Sequence, residues 1–120
     1  MLVRGLPGSG KSTYARYLVA IGVCDSHYET DRYFYQEGQY VYDPAKLGRY
    51  HRQCFQDTKN ALERGETVVV ANTFTRRWEM EPYLELGCLY IIVEMMEPFG
   101  NIHNVPEATI AKMKERWESV

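Results

Sequence analysis

Residues Gly5-Leu6-Pro7-Gly8-Ser9-Gly10-Lys11-Ser12 read GxxxxGK[ST], and each residue type in that run answers a demand of phosphate chemistry. The glycines let the backbone turn tightly and bring several N–H donors onto one concave anion site, with Pro7 and Ser9 set between them. A helix beginning near Gly10 adds the positive end of its dipole. Lys11 is spaced to reach the β- and γ-phosphates of a nucleoside triphosphate. Ser12, with Thr13 behind it, offers a hydroxyl to the Mg²⁺ that travels with them. A glycine-rich turn before an ordinary helix is the duller alternative, and the flanks argue against it. Apolar Met1-Leu2-Val3 suits a buried strand, and Thr13 to Val19 continues as a helix with Tyr14, Ala15 and Leu18 inward.

Phosphoryl transfer also needs a group that handles the nucleophile's proton. Asp31 is the candidate. It ends a short second strand, His27 to Thr30, beside the phosphate loop. There a carboxylate can take a proton from an acceptor hydroxyl or hold Mg²⁺ through water. The competing role for Asp31 is a cap on the turn before Arg32.

The elements that must position these residues are legible in outline. Tyr33 to Tyr42 is aromatic-rich around Glu37-Gly38-Gln39 and reads as a loop or irregular hairpin. Asp43 caps a long helix with Pro44 at its first position and Gly65 past its end. Its apolar stripe runs through Leu47, Tyr50, Cys54, Phe55, Thr58, Ala61 and Leu62. Thr67 to Ala71 is a short β-branched run, as expected of a strand buried on both faces. Arg76 to Leu86 is predicted helical, with Trp78, Tyr83 and Leu86 partly buried and Pro82 bending or shortening it. Cys88 to Val93 is a further strand that Glu94 to Met96 can extend, and Pro106 opens a last helix with Ile110, Met113 and Trp117 inward. Alternating strands and helices predict an α/β fold: a minimal parallel sheet of about four strands with helices on both faces. Ligands in such sheets bind at the strand C-terminal ends, so the phosphate loop, Asp31 and Asn72 should converge there.

Composition sets the bounds. With 120 residues, 45% of them apolar and 25% charged, residues 1–120 suit one compact domain. No apolar run nears the roughly 20 residues needed to cross a bilayer, and no leader precedes the phosphate loop, so the expectation is a cytoplasmic protein without membrane contact. Cys24, Cys54 and Cys88 are odd in number and far apart, which fits reduced thiols. Cys24 and His27 have a metal-like gap but no second pair, so zinc is discounted. A net charge of −2 argues against a general nucleic-acid coat. Lys46, Arg49 and Arg52 fall on one helix face, either solvated or locally contacting phosphate. Tyr33, Phe34, Tyr35, Tyr40 and Tyr42 suit either packing over the sheet or a stacking platform for an acceptor base; packing is preferred for Phe34.

Leu6 to Thr13 and Thr30-Asp31-Arg32-Tyr33-Phe34, followed by Asn72-Thr73, Trp78 to Tyr83 and Asn101 to Pro106, resemble the kinase domain of phage-type polynucleotide kinases and related small P-loop kinases. The likeness runs over nearly the whole chain. It implies that Lys11 and Ser12 bind phosphate and Mg²⁺, that Asp31 is general base on a 5′-hydroxyl, and that Asn72 stands where those kinases carry a functional acid. Two departures follow. Phe34 replaces an arginine that holds the acceptor's 3′-phosphate, and the lid that donates an arginine to the transferring phosphate is reduced to Glu97-Pro98-Phe99-Gly100. Such an arginine is worth about 10³ to 10⁵ in rate. Arg76 and Arg77 are the internal substitutes, with first-turn positions of a solvated helix as their alternative. A second protomer of a homo-oligomer is another source. His103 is placed to contact the adenine or the lid-side phosphate, or else to satisfy loop carbonyls. Two functions remain open: an ATP- and Mg²⁺-dependent kinase acting on a hydroxyl, or a nucleotide-binding module that docks or switches with little turnover.

Overall fold

The computed structural model describes residues 1–95 and 107–118, with side chains from residue 112 onward in the second stretch. The elements are β1 (Leu2–Gly5), α1 (Lys11–Ala20), β2 (Ser26–Tyr28), a hairpin of β3 (Tyr35–Gln36) and β4 (Gln39–Tyr40), α2 (Leu47–Glu63), β5 (Val68–Asn72), α3 (Arg77–Leu84), β6 (Ile92–Met95) and α4 (Glu107–Arg116). Strands β1, β2, β5 and β6 form one parallel sheet in the order β2-β5-β1-β6. Leu2 registers with Val70 on one side and Ile92 on the other, and Tyr28 also pairs with Val70. The predicted four-stranded parallel sheet is therefore present. Its order corrects one detail: β2 is not next to β1, since β5 lies between them.

Neighbouring side chains on a strand face opposite ways, and Leu2 and Val3 accordingly belong to different cores. Leu2 packs with Cys54, Ala61, Val68, Val70, Phe74, Met80 and Tyr83, beneath α2 and α3. Val3 packs with Ala15, Leu18, Cys24, Val69 and Ala71, beneath α1. All five residues of β5 are buried, as expected of a strand covered on both faces. Helices on both faces follow directly.

Four local expectations need correction. The strand expected from Cys88 begins at Ile92, because β1 offers its register only to Ile92 through Met95; Leu89, Tyr90 and Ile91 are exposed. The short strand expected through Thr30 stops at Tyr28, and Thr30–Phe34 is a 3₁₀ turn. Asp43 caps, but what it caps is a 3₁₀ turn over Pro44–Lys46, its Oδ1 accepting from the Ala45 N–H at 3.0 Å before α2 starts. Trp78 is 66% exposed, whereas Met80 and Tyr83 are buried. At about 100° per residue, Trp78 lies nearly opposite the Met80–Tyr83 face, so the helix cannot bury all three.

The remaining positioning devices match the sequence. Cys54, Thr58 and Ala61 of α2 are buried and Phe55 and Leu62 pack beside them. α3 ends two residues after Pro82, consistent with a shortened helix. The hairpin turns at Glu37 and Gly38, both with positive φ, the geometry that fits the twist of its strands. Phe34 is buried and meets the rings of Tyr40, Tyr42 and Tyr50, so packing is its role.

Candidate functional site

The phosphate loop leaves β1 in the middle of the sheet and enters α1 after a close-packed turn. Gly8 and Gly10 have φ of 82° and 86°, the left-handed region that favours glycine. At Gly5 the demand is space: a Cβ there would run into the Ser9 hydroxyl and stand 3.0 Å from the Met95 carbonyl. Leu6 and Ser9 close the loop, the Ser9 N–H donating to the Leu6 carbonyl at 3.1 Å. The Tyr14 N–H takes the Gly10 carbonyl at 2.9 Å, so the amides of Lys11, Ser12 and Thr13 stand ahead of the helical ladder. Pro7 is half-buried on the loop and Thr13 is exposed.

Lys11 and Ser12 start α1 and meet the segment after β2. Ser12 is buried, and its Oγ donates to Glu29 Oε2 at 2.5 Å. Glu29 is 8% exposed, and its other oxygen lies 3.3 Å from His27 Nε2. Burial alone would raise the Glu29 carboxyl, but the close approach of His27 Nε2, the hydrogen bond from Ser12 and the Lys11 charge hold it below the usual carboxylate value. Burial pulls the Lys11 ammonium below the ordinary lysine value, while the charges of Asp31 and then Glu29 pull it back. Lys11 makes no ion pair among the described residues. Asp31 lies in the 3₁₀ turn and is half-buried, with the Tyr40 hydroxyl 3.4 Å from its Oδ1. The structure thus brings Lys11, Ser12 and Asp31 together and adds Glu29, which sequence reasoning passed over. The E-x-D spacing of Glu29 and Asp31 was the signal available.

Asn72 ends β5 and is buried. Its Oδ1 accepts the Thr30 N–H at 2.8 Å and its Nδ2 faces Cys54 Sγ at 3.8 Å. It therefore ties the Glu29–Asp31 segment to the sheet. His51 also meets Thr30, its Nδ1 lying 3.0 Å from the Thr30 Oγ1, in keeping with a structural role. Arg76 precedes α3 with its Nη1 3.5 Å from Glu118, and Arg77 is exposed at the helix start. His103 lies outside the described residues.

Arg4 is a second residue the sequence did not single out. It is wholly buried within β1. Its guanidinium donates to the Phe74 carbonyl at 3.0 and 2.7 Å, to the Thr75 carbonyl at 3.3 Å and to Glu94 at 2.7 Å. Trp117 stacks on it with 3.8 Å from Cζ to the ring centroid. Trp117, expected in an apolar core, packs on a cation. Phe74 has φ of 48°, a costly backbone for an aromatic residue, and Arg4 holds its carbonyl in place.

The site residues fit a nucleotide with Mg²⁺. The Ser9 Oγ is buried without a hydrogen-bond partner, the bare Cα of Gly5 lets Ser9 pack against it, and the Ser12 hydroxyl, of the kind that can ligate a divalent cation, sits against the Glu29 carboxylate.

A family model described as an AAA domain matches residues 1–90. Human NEDD4-binding protein 2 is 35% identical over 132 residues, covering 98% of this chain, which spans about 8% of that curated relative's length. Among solved structures, a gluconokinase from Sinorhizobium meliloti 1021 superposes with a TM-score of 0.68 at 17% identity, over 98% of this chain and 74% of that one. The Pnkp1/Rnl/Hen1 complex gives a TM-score of 0.61 at 19% identity, over 92% of this chain and 37% of that chain. The fold is thus that of small P-loop kinases, and the chain belongs to the AAA domain family.

Proposed function

We propose that this chain is a Mg²⁺-dependent kinase that moves the γ-phosphate of ATP to a hydroxyl acceptor. One juxtaposition carries the reading: a lysine without an ion pair among the described residues, above a glycine cradle, under the influence of Asp31 and Glu29. Two acids next to an unpaired cation do not stabilise a resting protein as well as direct pairing does, but they suit a cation that is to meet phosphate.

In this reading the loop amides and Lys11 hold the phosphates, and the Ser12 hydroxyl holds Mg²⁺. The metal, when bound, screens phosphate charge and orients the transferring group. Asp31 takes the acceptor's proton as the new O–P bond forms and the bond from the γ-phosphorus to the bridging oxygen breaks, leaving ADP. Asn72 positions Asp31 through the Thr30 amide. Arg76 and Arg77, at the start of α3 after β5, supply the positive charge on the transferring phosphate, and His103 contacts the ATP. The acceptor is a nucleic-acid 5′ end, a nucleoside or another small molecule. The polynucleotide option draws support from the Pnkp1 likeness and from the rings of Tyr35 and Tyr42, each about half exposed on or just after the hairpin that Tyr40 connects to Asp31.

A second reading is a nucleotide-binding module with little turnover. It is favoured by one observation: Arg76 faces Glu118, so one of the two internal cations is engaged elsewhere. Labelled-ATP transfer, screened over 5′-hydroxyl oligonucleotides, nucleosides and sugars, separates the two. Label on any acceptor, lost in Lys11→Ala, supports the kinase. Tight ATP binding with no labelled acceptor and no phosphate release supports the module.

A further inference from the structure

We infer that Glu29 is the carboxylate that organises the metal side of the phosphate site, in place of an acid at the end of β5. The inference rests on the nucleotide–Mg²⁺ reading above and deepens it.

Ser12 has one hydroxyl proton and two lone pairs. Its proton is committed to Glu29 Oε2 at 2.5 Å, a charge-assisted bond of the short, strong kind. What remains of the hydroxyl is acceptor only, which is the state a cation requires of an oxygen ligand. Without Glu29 the proton is free to rotate toward the cation and oppose it. The carboxylate is itself fixed: it is 8% exposed, and its second oxygen faces His27 Nε2 at 3.3 Å. Arg32 in turn donates to the His27 carbonyl, and Asn72 holds the Thr30 amide next along the chain. Glu29 is thus buried, on a braced segment, with its carboxylate hydrogen-bonded to Ser12.

The end of β5 cannot supply this charge. Asn72 is neutral, and its amide is already turned to Thr30 and Cys54. The residue there has become a brace for the segment that carries the acid. The negative charge comes instead from the next strand outward, across β5 from β1. Glu29 acts through Ser12 and is a positioning residue.

The test measures ATP affinity with excess Mg²⁺ and with EDTA, and Mn²⁺ binding to the ATP complex by electron paramagnetic resonance. In wild type, Mg²⁺ should tighten ATP binding. Glu29→Gln, which keeps the side chain's shape, should weaken Mn²⁺ in the ternary complex by about tenfold to a hundredfold, the range for lost outer-shell partners of a metal ligand. Its ATP affinity in EDTA should stay at or above wild type. Ser12→Ala should lose the same metal increment, and the double variant should lose no more than Ser12→Ala alone, since both act on one oxygen. Glu29→Asp keeps the charge but retracts it, and should fall between wild type and Glu29→Gln. Should Glu29→Gln fold poorly, the Asp variant carries the comparison. A wild-type metal increment in both Glu29 variants, with loss in Ser12→Ala, overturns the inference and leaves the kinase reading intact. No metal increment in wild type itself overturns both.

Discussion

At the residue scale, the phosphate loop was readable because its demands are local. Gly8 and Gly10 adopt the backbone that a tight turn needs, and the lysine and serine follow at fixed spacing. Gly5 offers a sharp check. A methyl group there meets Ser9 and the Met95 carbonyl, and neither a packed backbone nor a buried side chain gives way cheaply. Gly5→Ala should lower stability by about 1–3 kcal/mol and weaken ATP binding, read by urea unfolding and by titration with a fluorescent nucleotide. Glu29 was harder to read. Its partner Ser12 is 17 positions away, and only the packing of α1 against the β2 end brings them together. Arg4 was harder still, because an arginine between apolar neighbours reads as an interruption of a strand. Its hydrogen-bond partners stand 70 to 90 positions along the chain.

Among the elements, α2 and β5 were readable from period alone, a 3.6-residue stripe and a continuous β-branched run. In α3 the helical period sets Trp78, expected partly buried, opposite the buried Met80 and Tyr83. The structure therefore predicts a contrast. Trp78→Ala should change stability by less than about 0.5 kcal/mol, while Met80→Ala, two residues on and buried on the opposite face, should cost about 2–5 kcal/mol. The β1–α4 junction makes a second prediction. Arg4 ties β1 to the strained Phe74 backbone and to Trp117. Arg4→Met should destabilise by about 2–4 kcal/mol, since it leaves buried carbonyls without donors, with Glu94 partly solvated and so less penalised. Trp117 emission should shift as its cation partner goes. A stable variant with unchanged Trp117 emission contradicts the junction.

For the whole molecule, no helix among the described residues is long and apolar enough to cross a membrane, and Cys24 and Cys54 are buried while Cys88 is exposed. Burial raises the Cys54 thiol above its ordinary value, against smaller opposing bonds from Tyr83, Asn72 and Thr30. A raised folded value means stability that is full below the ordinary thiol value and lost as pH rises through the folded one. Urea midpoints should therefore fall in the alkaline range more steeply for wild type than for Cys54→Ala, and a thiol reagent should reach Cys88 first. Strand order β2-β5-β1-β6 could not be read from alternation, which predicts a parallel sheet but not which strands adjoin. That order is what sets Asp31 and Glu29 across β5 from the phosphate loop and within its electrostatic reach. The proposal of phosphoryl transfer stands on that arrangement. Its most direct test is the rate of γ-phosphate transfer from ATP to whichever hydroxyl acceptor the wild-type protein labels, measured beside Asp31→Asn. Loss of a general base should slow transfer by about 10² to 10⁴ with ATP affinity retained; transfer by Asp31→Asn at the wild-type rate, or no labelled acceptor from wild type at all, would contradict it.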